Sequence, residues 1–316
     1  MLKILLNPLA KGAYFASLLE VAQAELSALF PDVVGTASPC GPLQFLEVDL
    51  PHDQASKLMR LSFAQGLFEG GAEGQLTPIA EDGGFALPEA LVWGSKYRGK
   101  THELVTQLAL NLAIAHATPD PKKKPALLDP MAGRGTTLMW ASRYGIDAYG
   151  IEVERDALEH FQRDVKRQTK LHKVKHKEQG GVIGAKKSPV GRFFELSWAE
   201  TSTCARLIIG DSLKAEALTT NKRFSYIVSD LPYGVQFGGY GGHRSPIKAL
   251  EERAGAWAER LSSGGAMVLI FNALQPKRAE LVEIFEGVGL TAQPFEAPHR
   301  MSESILRDLV VFTKSR

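Results

Sequence analysis

The sequence has little cysteine, no long apolar run and no recognisable metal-ligand motif. Cys40 and Cys204 are its only cysteines and form no CxxC pair, so we expect a reducing compartment without a disulfide framework or a thiolate metal site. No apolar run reaches the roughly 18 residues that a membrane helix needs. The eight histidines show no HExxH spacing. These absences predict a cytoplasmic protein with no membrane segment and no bound metal.

The bulk composition is that of a soluble globular protein. The 316 residues are 44% hydrophobic and 23% charged, which suits one large domain and one small one. The net charge of +2 is unevenly spread, because residues 163–192 hold ten basic and two acidic side chains. That segment therefore carries +8 and the rest of the chain −6. Such a segment is typical of a polyanion binder, although a solvated charged helix has the same composition.

The apolar patterns divide the chain into two parts. Residues 1–85 predict a small α+β domain, in which AYFASLL suggests a strand and DQASKLMRLSFAQGLF a helix, and a crowd of glycines then marks a boundary. In residues 86–316 strands alternate with helices, which predicts a mostly parallel, doubly wound, Rossmann-like sheet. Ligands bind such sheets at the carboxyl ends of the strands.

A glycine-containing stretch, LLDPMAGRGTTL, joins a predicted strand to a predicted helix. Gly133 and Gly135 allow a tight turn and let backbone amides approach a ligand. Glu152 ends the next predicted strand, where a carboxylate can accept both hydroxyls of a ribose. Asp211 and Ser212 follow the third strand, where they can meet an adenine amine. No GxxxxGK[ST] stretch is present, so a P-loop nucleotide is not expected.

Asp129, directly before the glycine turn, discriminates between cofactors. Its carboxylate would repel a pyrophosphate, and Leu138 replaces the third glycine of a dinucleotide fingerprint, so a NAD-dependent dehydrogenase is not expected. S-adenosylmethionine has an ammonium group, a ribose and an adenine but no phosphate, and we expect it as the cofactor. A simple helix cap is the alternative role for Asp129. The candidate cofactor-binding residues are Asp129, Met131, Ala132, Gly133, Gly135, Thr136, Glu152, Val153, Asp211, Ser212 and Asp230.

The stretch DLPY, residues 230–233, closes another predicted strand and suits the methylation of an exocyclic amine. The lone pair of such an amine is delocalised into the base. The Asp230 carboxylate and the Leu231 carbonyl can each accept an N–H and so aim that lone pair at a sulfonium methyl. Pro232 fixes the backbone, and Tyr233 offers a ring on which a flipped base can stack. A proline-containing turn with a capping aspartate is the plainer alternative.

In this order DPMAGRGT, GIEVERDAL, GDS and DLPYG resemble the THUMP-associated RNA guanine-N2 methyltransferases. The resemblance covers roughly residues 90–316. It implies a seven-stranded S-adenosylmethionine-dependent methyltransferase sheet, an N-terminal ferredoxin-like domain, and tRNA or rRNA as the substrate. The sequence differs from the family pattern at Leu231, where a proline is usual, and at Met131, where an aromatic is common. No stretch between residues 70 and 90 is long enough for a THUMP domain.

A basic insertion at about residues 163–200 can supply the RNA contact instead. We expect it to project near the cofactor rim and to bind phosphates. The glycine-rich loop after Gly234 and the pair His299–Arg300 can face the target as well. The candidate RNA-binding residues are Lys166, Arg167, Lys170, Lys173, Lys175, Lys177, Tyr240 and Arg244.

The sequence therefore predicts an enzyme that methylates RNA at guanine N2, and it favours a monomer. Two alternatives stay open. A DNA N6-adenine or N4-cytosine methyltransferase would share the DLPY chemistry but lacks a target-recognition domain here. A non-catalytic RNA-binding protein would not need the acids of both motifs.

Overall fold

The computed structural model describes residues 1–94, 100–232 and 246–316. The N-terminal part of the chain is an α+β unit. Its strands and helices are β1 (Leu2–Leu6), α1 (Ala10–Tyr14), α2 (Leu18–Leu29), β2 (Thr36–Ala37), β3 (Phe45–Val48), α3 (Ala55–Leu58), β4 (Ala64–Gly70) and β5 (Leu76–Ile79).

These five strands form one sheet in the order β2-β3-β1-β4-β5, with antiparallel neighbours throughout. The first four strands and their helices follow each other as β-α-β-β-α-β, the chain order of ferredoxin-like units. The fifth strand extends the sheet by one, and α3 is only four residues long.

Two local predictions in this part are wrong. The stretch AYFASLL lies in α1, a 3₁₀ turn and the start of α2 rather than in a strand. In the stretch DQASKLMRLSFAQGLF only Ala55–Leu58 is α-helical, and the end of the stretch lies in β4. In both stretches the apolar residues are too close together to distinguish a helical from a strand period.

The larger part of the chain alternates helices with strands. Its elements are α4 (Glu103–His116), β6 (Ala126–Asp129), α5 (Thr136–Arg143), β7 (Asp147–Glu152), α6 (Asp156–Leu171), β8 (His176–Ala185), β9 (Ser188–Trp198), β10 (Cys204–Ile209), α7 (Ala215–Leu218), β11 (Phe224–Asp230), α8 (Pro246–Arg260), β12 (Leu261–Asn272), α9 (Arg278–Glu286), β13 (Thr291–Gln293), β14 (His299–Ser302) and β15 (Ile305–Thr313).

Within the described residues these strands form a ten-stranded mixed sheet in the order β13-β15-β12-β11-β6-β7-β10-β9-β8, with β14 paired to β15. Its centre, β12-β11-β6-β7-β10, is parallel. Every residue of β6 is buried, as expected of a strand covered on both faces. Alternate residues of the central strands enter two separate apolar clusters, one on each face, so the sheet is doubly wound as predicted.

Seven strands account for the order β13-β15-β12-β11-β6-β7-β10, and the hairpin β8–β9 extends the sheet beyond β10. The stretch ERDALEHFQRDVKRQTKLHKVKH predicts one long helix with a basic far end, but α6 ends at Leu171. Its buried residues Ala157, Phe161, Val165 and Thr169 recur every four positions, and this amphipathic pattern stops where the hairpin begins. Among the described residues, no helix is long and apolar enough to cross a bilayer.

A buried polar network joins the N-terminal part to α4. The Glu25 carboxylate, which is fully buried, accepts hydrogen bonds from the Ser62 hydroxyl (2.6 Å) and from Asn111 Nδ2 (2.7 Å). The Tyr14 hydroxyl donates to the Leu104 carbonyl oxygen at 3.0 Å. Apolar residues of both parts also share one cluster. The two parts therefore pack through a common core, and the boundary near residue 85 stays a prediction.

Glu25 should make stability depend on pH. Burial raises its pKa from 4.5 to about 7, although the hydrogen bonds from Ser62 and Asn111 oppose the shift. Since the folded state favours the protonated acid, this stability is fully present below pH 4.5 and is lost as pH rises through 7. We expect wild type to lose about 3 kcal/mol relative to Glu25→Gln between pH 4.5 and 8. Urea unfolding of both proteins across this range measures the difference, and a constant difference would contradict the assignment.

Candidate active site

The turn after β6 is built for close approach of the backbone. Gly133 and Gly135 have positive φ angles of 50° and 80°, which side chains adopt only with strain. A Cβ on Gly135 would also lie 2.7 Å from the ring of Phe161. A Cβ on Gly133, by contrast, would meet nothing within 4 Å. The first glycine therefore faces open space, whereas the second lets α6 pack against the turn.

Asp129 ends β6 and is buried, with 2% of its surface exposed. Its Oδ1 accepts hydrogen bonds from the Met131 amide (3.1 Å) and from the Ser229 hydroxyl (2.7 Å). Burial raises the pKa of this carboxyl to about 7, and the nearby charge of Glu152 adds to the shift. The hydrogen bond from Ser229 joins the glycine turn to the end of β11. The sequence alone predicted only that both lie at the carboxyl edge of the sheet.

Glu152 reaches the same turn from the end of β7. Its Oε2 accepts a hydrogen bond from the Gly133 amide (2.8 Å) and its Oε1 from the Glu154 amide (2.9 Å). Only 4% of Glu152 is exposed. Two carboxyl groups, those of Asp129 and Glu152, therefore lie beside one glycine turn, and this arrangement suits a cationic ligand.

The end of β10 contributes a third acid. Asp211 Oδ1 accepts from the Leu213 amide (3.0 Å) and pairs with Arg253 Nη2 (3.2 Å), whose side chain is fully buried in α8. The neighbouring Ser212 hydroxyl is buried and has no hydrogen-bond partner among the described residues. A buried polar atom without a partner favours a ligand there. Sequence reasoning missed Arg253; its signal was an arginine on the apolar face of α8, four residues after Ala249 and four before Trp257.

The end of β11 carries the second motif. Asp230 Oδ2 accepts a short hydrogen bond from the hydroxyl of Thr101, which stands just before α4. The Leu231 amide donates to the Ile270 carbonyl oxygen at 2.9 Å, and the Leu231 side chain is buried. A proline at Leu231 would have no N–H for this bond. Sequence reasoning gave Thr101 no role, because it lies far from the motif along the chain.

Thr101 is expected to act by holding Asp230. In Thr101→Val the side chain keeps its shape but cannot donate, so we expect kcat to fall about tenfold with little change in the affinity for S-adenosylmethionine. Thr101→Ser keeps the hydroxyl and should retain most of the activity. Steady-state kinetics of the three proteins test this; an active Val variant would show that the contact is only structural.

Comparison with known proteins now decides the family. A family profile, the RMKL-like methyltransferase domain (UPF0020), matches residues 96–283, which is more than half of the chain. The chain belongs to this family. This is a family of S-adenosylmethionine-dependent methyltransferases. No curated protein matches the chain.

Solved structures to which this methyltransferase is similar have low sequence identity to it. TrmN from Thermus thermophilus is 14% identical with a TM-score of 0.45, over 89% of this chain and 60% of that one. An rRNA methylase from Streptococcus thermophilus is 14% identical with a TM-score of 0.37, over 61% and 88%. Magnesium protoporphyrin IX methyltransferase from Synechocystis PCC 6803, solved with bound S-adenosylmethionine, is 12% identical with a TM-score of 0.44, over 71% and 88%. The chain thus spans 60% of the length of TrmN.

The residues at the turn fit the cofactor of the methyltransferase. The buried carboxylates suit its positive charges, the space beside Gly133 admits a ligand, and the Ser212 hydroxyl lacks a partner. The other predicted cofactor residues lie in the same loops: Met131 and Ala132 are buried in the turn, Thr136 begins α5, and Val153 follows β7. Among the described residues no group of His, Cys, Asp and Glu can hold a metal ion.

The predicted RNA contacts fall into three groups. Tyr240 and Arg244, like the proposed stacking residue Tyr233, lie outside the described residues. The second group lies on the outer half of α6 and just after it, and it consists of Lys166, Arg167, Lys170, Lys173, Lys175 and Lys177. Helix α6 starts at the carboxyl end of β7. The next element, β8, starts opposite Trp198, which lies near the amino end of β10. The segment from Lys170 to Lys177, which joins α6 to β8, therefore lies at the amino edge of the sheet. The expectation that they project near the cofactor rim is wrong.

The third group is the pair His299–Arg300. Arg300 is exposed, but His299 is fully buried and packs edge-on against Tyr14 of the N-terminal part, with ring centroids 5.3 Å apart. Burial lowers the pKa of His299 to about 4, so the ring is neutral at pH 7. His299 therefore serves the packing of the two parts instead of facing a target.

Proposed function

We propose that this methyltransferase transfers a methyl group to an exocyclic amine of a base in RNA, at guanine N2 of a tRNA or rRNA. The observation that carries the proposal is the hydrogen bond from Ser229 to Asp129. It fixes Asp230, the next residue, beside the turn whose carboxylates suit the cofactor. The family match and the resemblance of DLPYG to guanine-N2 enzymes support the same chemistry.

The residues of the chain would act on the acceptor amine. S-adenosylmethionine supplies a methyl group on a positively charged sulfur. Asp230 accepts one N–H of the amine and the Leu231 carbonyl the other, so that the nitrogen presents its lone pair to the methyl carbon. As the N–C bond forms, the S–C bond breaks and its electron pair stays on the sulfur. The methylated nitrogen then loses the proton that it shares with the Asp230 carboxylate, to that carboxylate and on to solvent. Thr101 holds Asp230 in place, and the bond from Leu231 to Ile270 fixes the backbone. Catalysis then depends chiefly on positioning two reactants and excluding water.

Residues at the ends of three strands would each bind a different part of the cofactor. Asp129 faces the ammonium group, Glu152 the ribose hydroxyls, and Asp211 with Ser212 the adenine. Arg253 keeps Asp211 in place through a fully buried guanidinium. Asp129 and Glu152 end parallel strands, and Asp211 and Ser212 follow the end of another, as expected for ligand binding at the carboxyl edge of a doubly wound sheet.

The remaining assignments complete the proposal. We take residues 1–85 as a ferredoxin-like domain and residues 86–316 as the catalytic domain of a cytoplasmic enzyme. The shared core places the N-terminal unit against α4, the helix that follows Thr101. The N-terminal domain therefore supports the acceptor side of the site as well as packing beside it.

Nucleoside analysis tests this function. Mass spectrometry of nucleosides from tRNA, rRNA and DNA is compared between cells with and without the protein. Loss of N2-methylguanosine from one RNA fraction is the expected result. Loss of a methylated adenine or cytosine from DNA instead would make the enzyme a DNA methyltransferase, and unchanged nucleosides in all fractions would overturn both functions.

A further inference from the structure

The hairpin β8–β9 extends past the carboxyl edge of the sheet. Along β9 the pairing with β10 ends at Arg192, opposite Ile209, the last residue of β10. The hairpin continues beyond that point, with Ile183 opposite Gly191 and Ala185 opposite Ser188. We call residues 182–192 the hairpin tip. The tip extends roughly 15 Å beyond the end of β10, at about 3.3 Å per residue.

This position brings the tip to the active-site side of the sheet. Asp211 and Ser212 follow the same end of β10, so the tip begins beside the part of the site that we assign to adenine. One face of its base is packed, since Ile183 is buried and a Cβ on Gly191 would lie 2.6 Å from Leu218. The hairpin base is therefore fixed to the sheet while its outer half extends freely from the edge.

The free half of the tip has the composition of a nucleic-acid contact. Lys186 and Lys187 form its turn and are exposed, and Arg192 is exposed at its base. Residues 179–194 contain no acidic residue. Val182 and Val190 are 41% and 40% exposed, and the pairing of Val182 with Arg192 puts these two residues on one face. The basic residues at the turn and at the base of the tip can bind phosphates, and the exposed valines can contact a ribose or a base.

Edge protection is the plain alternative for these lysines, because charged residues on edge strands prevent pairing with other chains. The central stretch of β8, Gln179–Val182, is where such pairing would occur, yet it carries no charge. Lys186 and Lys187 lie at the turn, where they can prevent little of the pairing of another chain along β8. Their position at the catalytic edge is better explained by a ligand there.

We propose that the hairpin tip binds the phosphate backbone of the substrate RNA next to the nucleotide that is methylated. This inference rests on the proposed RNA function and deepens it, since it assigns the substrate contact to the tip and not to the basic end of α6. Lys186 and Lys187 neutralise phosphates, while Arg192 and the two valines contact the strand closer to the site.

Two charge-matched double variants test the proposal. Lys186→Ala/Lys187→Ala removes two charges from the tip, and Lys170→Ala/Lys175→Ala removes two from the amino edge. All four side chains are exposed, so little loss of stability is expected. Methylation of RNA extracted from cells lacking the protein is followed with labelled S-adenosylmethionine at several salt concentrations.

For the tip variant we expect KM for RNA to rise about tenfold and the salt dependence of binding to weaken, with kcat and cofactor affinity unchanged. The amino-edge variant should behave as wild type. Equal effects of both pairs, or an unchanged KM in the tip variant, would overturn the role of the tip while leaving the RNA function intact. Wild-type protein that methylates no RNA would instead overturn the proposed function and this inference with it.

Discussion

Replacing Asp230 with alanine is expected to slow methyl transfer about a thousandfold while the affinity for S-adenosylmethionine changes little. The carboxylate is proposed to accept an N–H of the acceptor amine, and its loss also leaves the Thr101 hydroxyl without this acceptor. The amine would then keep its lone pair delocalised in the base. Single-turnover assays give the transfer rate, and calorimetric titration gives the cofactor affinity.

Two further variants make the Asp230 result specific. Asp230→Asn keeps one acceptor oxygen and should retain more activity than the alanine variant. Asp156→Ala removes an exposed carboxylate from the first turn of α6, at the same edge of the sheet, and should leave the rate unchanged. An Asp230→Ala protein with full activity would refute the role of this carboxylate as the acceptor for the amine.

The affinity for S-adenosylmethionine should rise with pH because of Asp129. Burial holds the pKa of this carboxyl at about 7 in the ligand-free protein, so below pH 7 it is mostly neutral. A cationic ligand favours the ionised form, and binding therefore releases a proton. The affinity should increase by up to about tenfold per pH unit below pH 7 and level off above it. Titration calorimetry between pH 5.5 and 8.5 measures this profile.

Two variants test whether Asp129 causes that profile. Asp129→Asn cannot ionise, so its affinity should be weaker by at least about tenfold at pH 8 and should no longer vary with pH. Ser229→Ala removes a hydrogen bond that lowers the pKa of Asp129, and its profile should move to higher pH. A wild-type affinity that does not change across this range would mean that Asp129 does not face a positive charge.

Much of the site could be predicted because parallel strands end at one edge. Four acids each follow an apolar run in the sequence. In the structure Asp129, Glu152 and Asp230 are the last residues of strands of the parallel centre, and Asp211 lies two residues after the end of another. Buried parallel strands are continuous apolar runs that are easily seen in a sequence. Their ends, and the residues that meet there, follow from the topology alone.

The contacts that complete the site could not be predicted in the same way. Thr101 and Arg253 reach Asp230 and Asp211 across 129 and 42 residues of sequence, and no local pattern tells which residue either one contacts. The basic segment was misassigned for another reason. Its basic residues continue from the end of α6 to Lys177 in β8, so the charge pattern gave no sign that the chain turns back across the sheet at His176.

The position of the transferred methyl group tests the central claim most directly. Purified protein, labelled S-adenosylmethionine and RNA from cells lacking the enzyme are incubated, and the labelled nucleoside is identified by mass spectrometry against synthetic standards. The account predicts label on the exocyclic nitrogen of guanosine. Label on a ring carbon, a ring nitrogen or a ribose oxygen would contradict it, because none of these acceptors needs the two N–H acceptors assigned to Asp230 and Leu231.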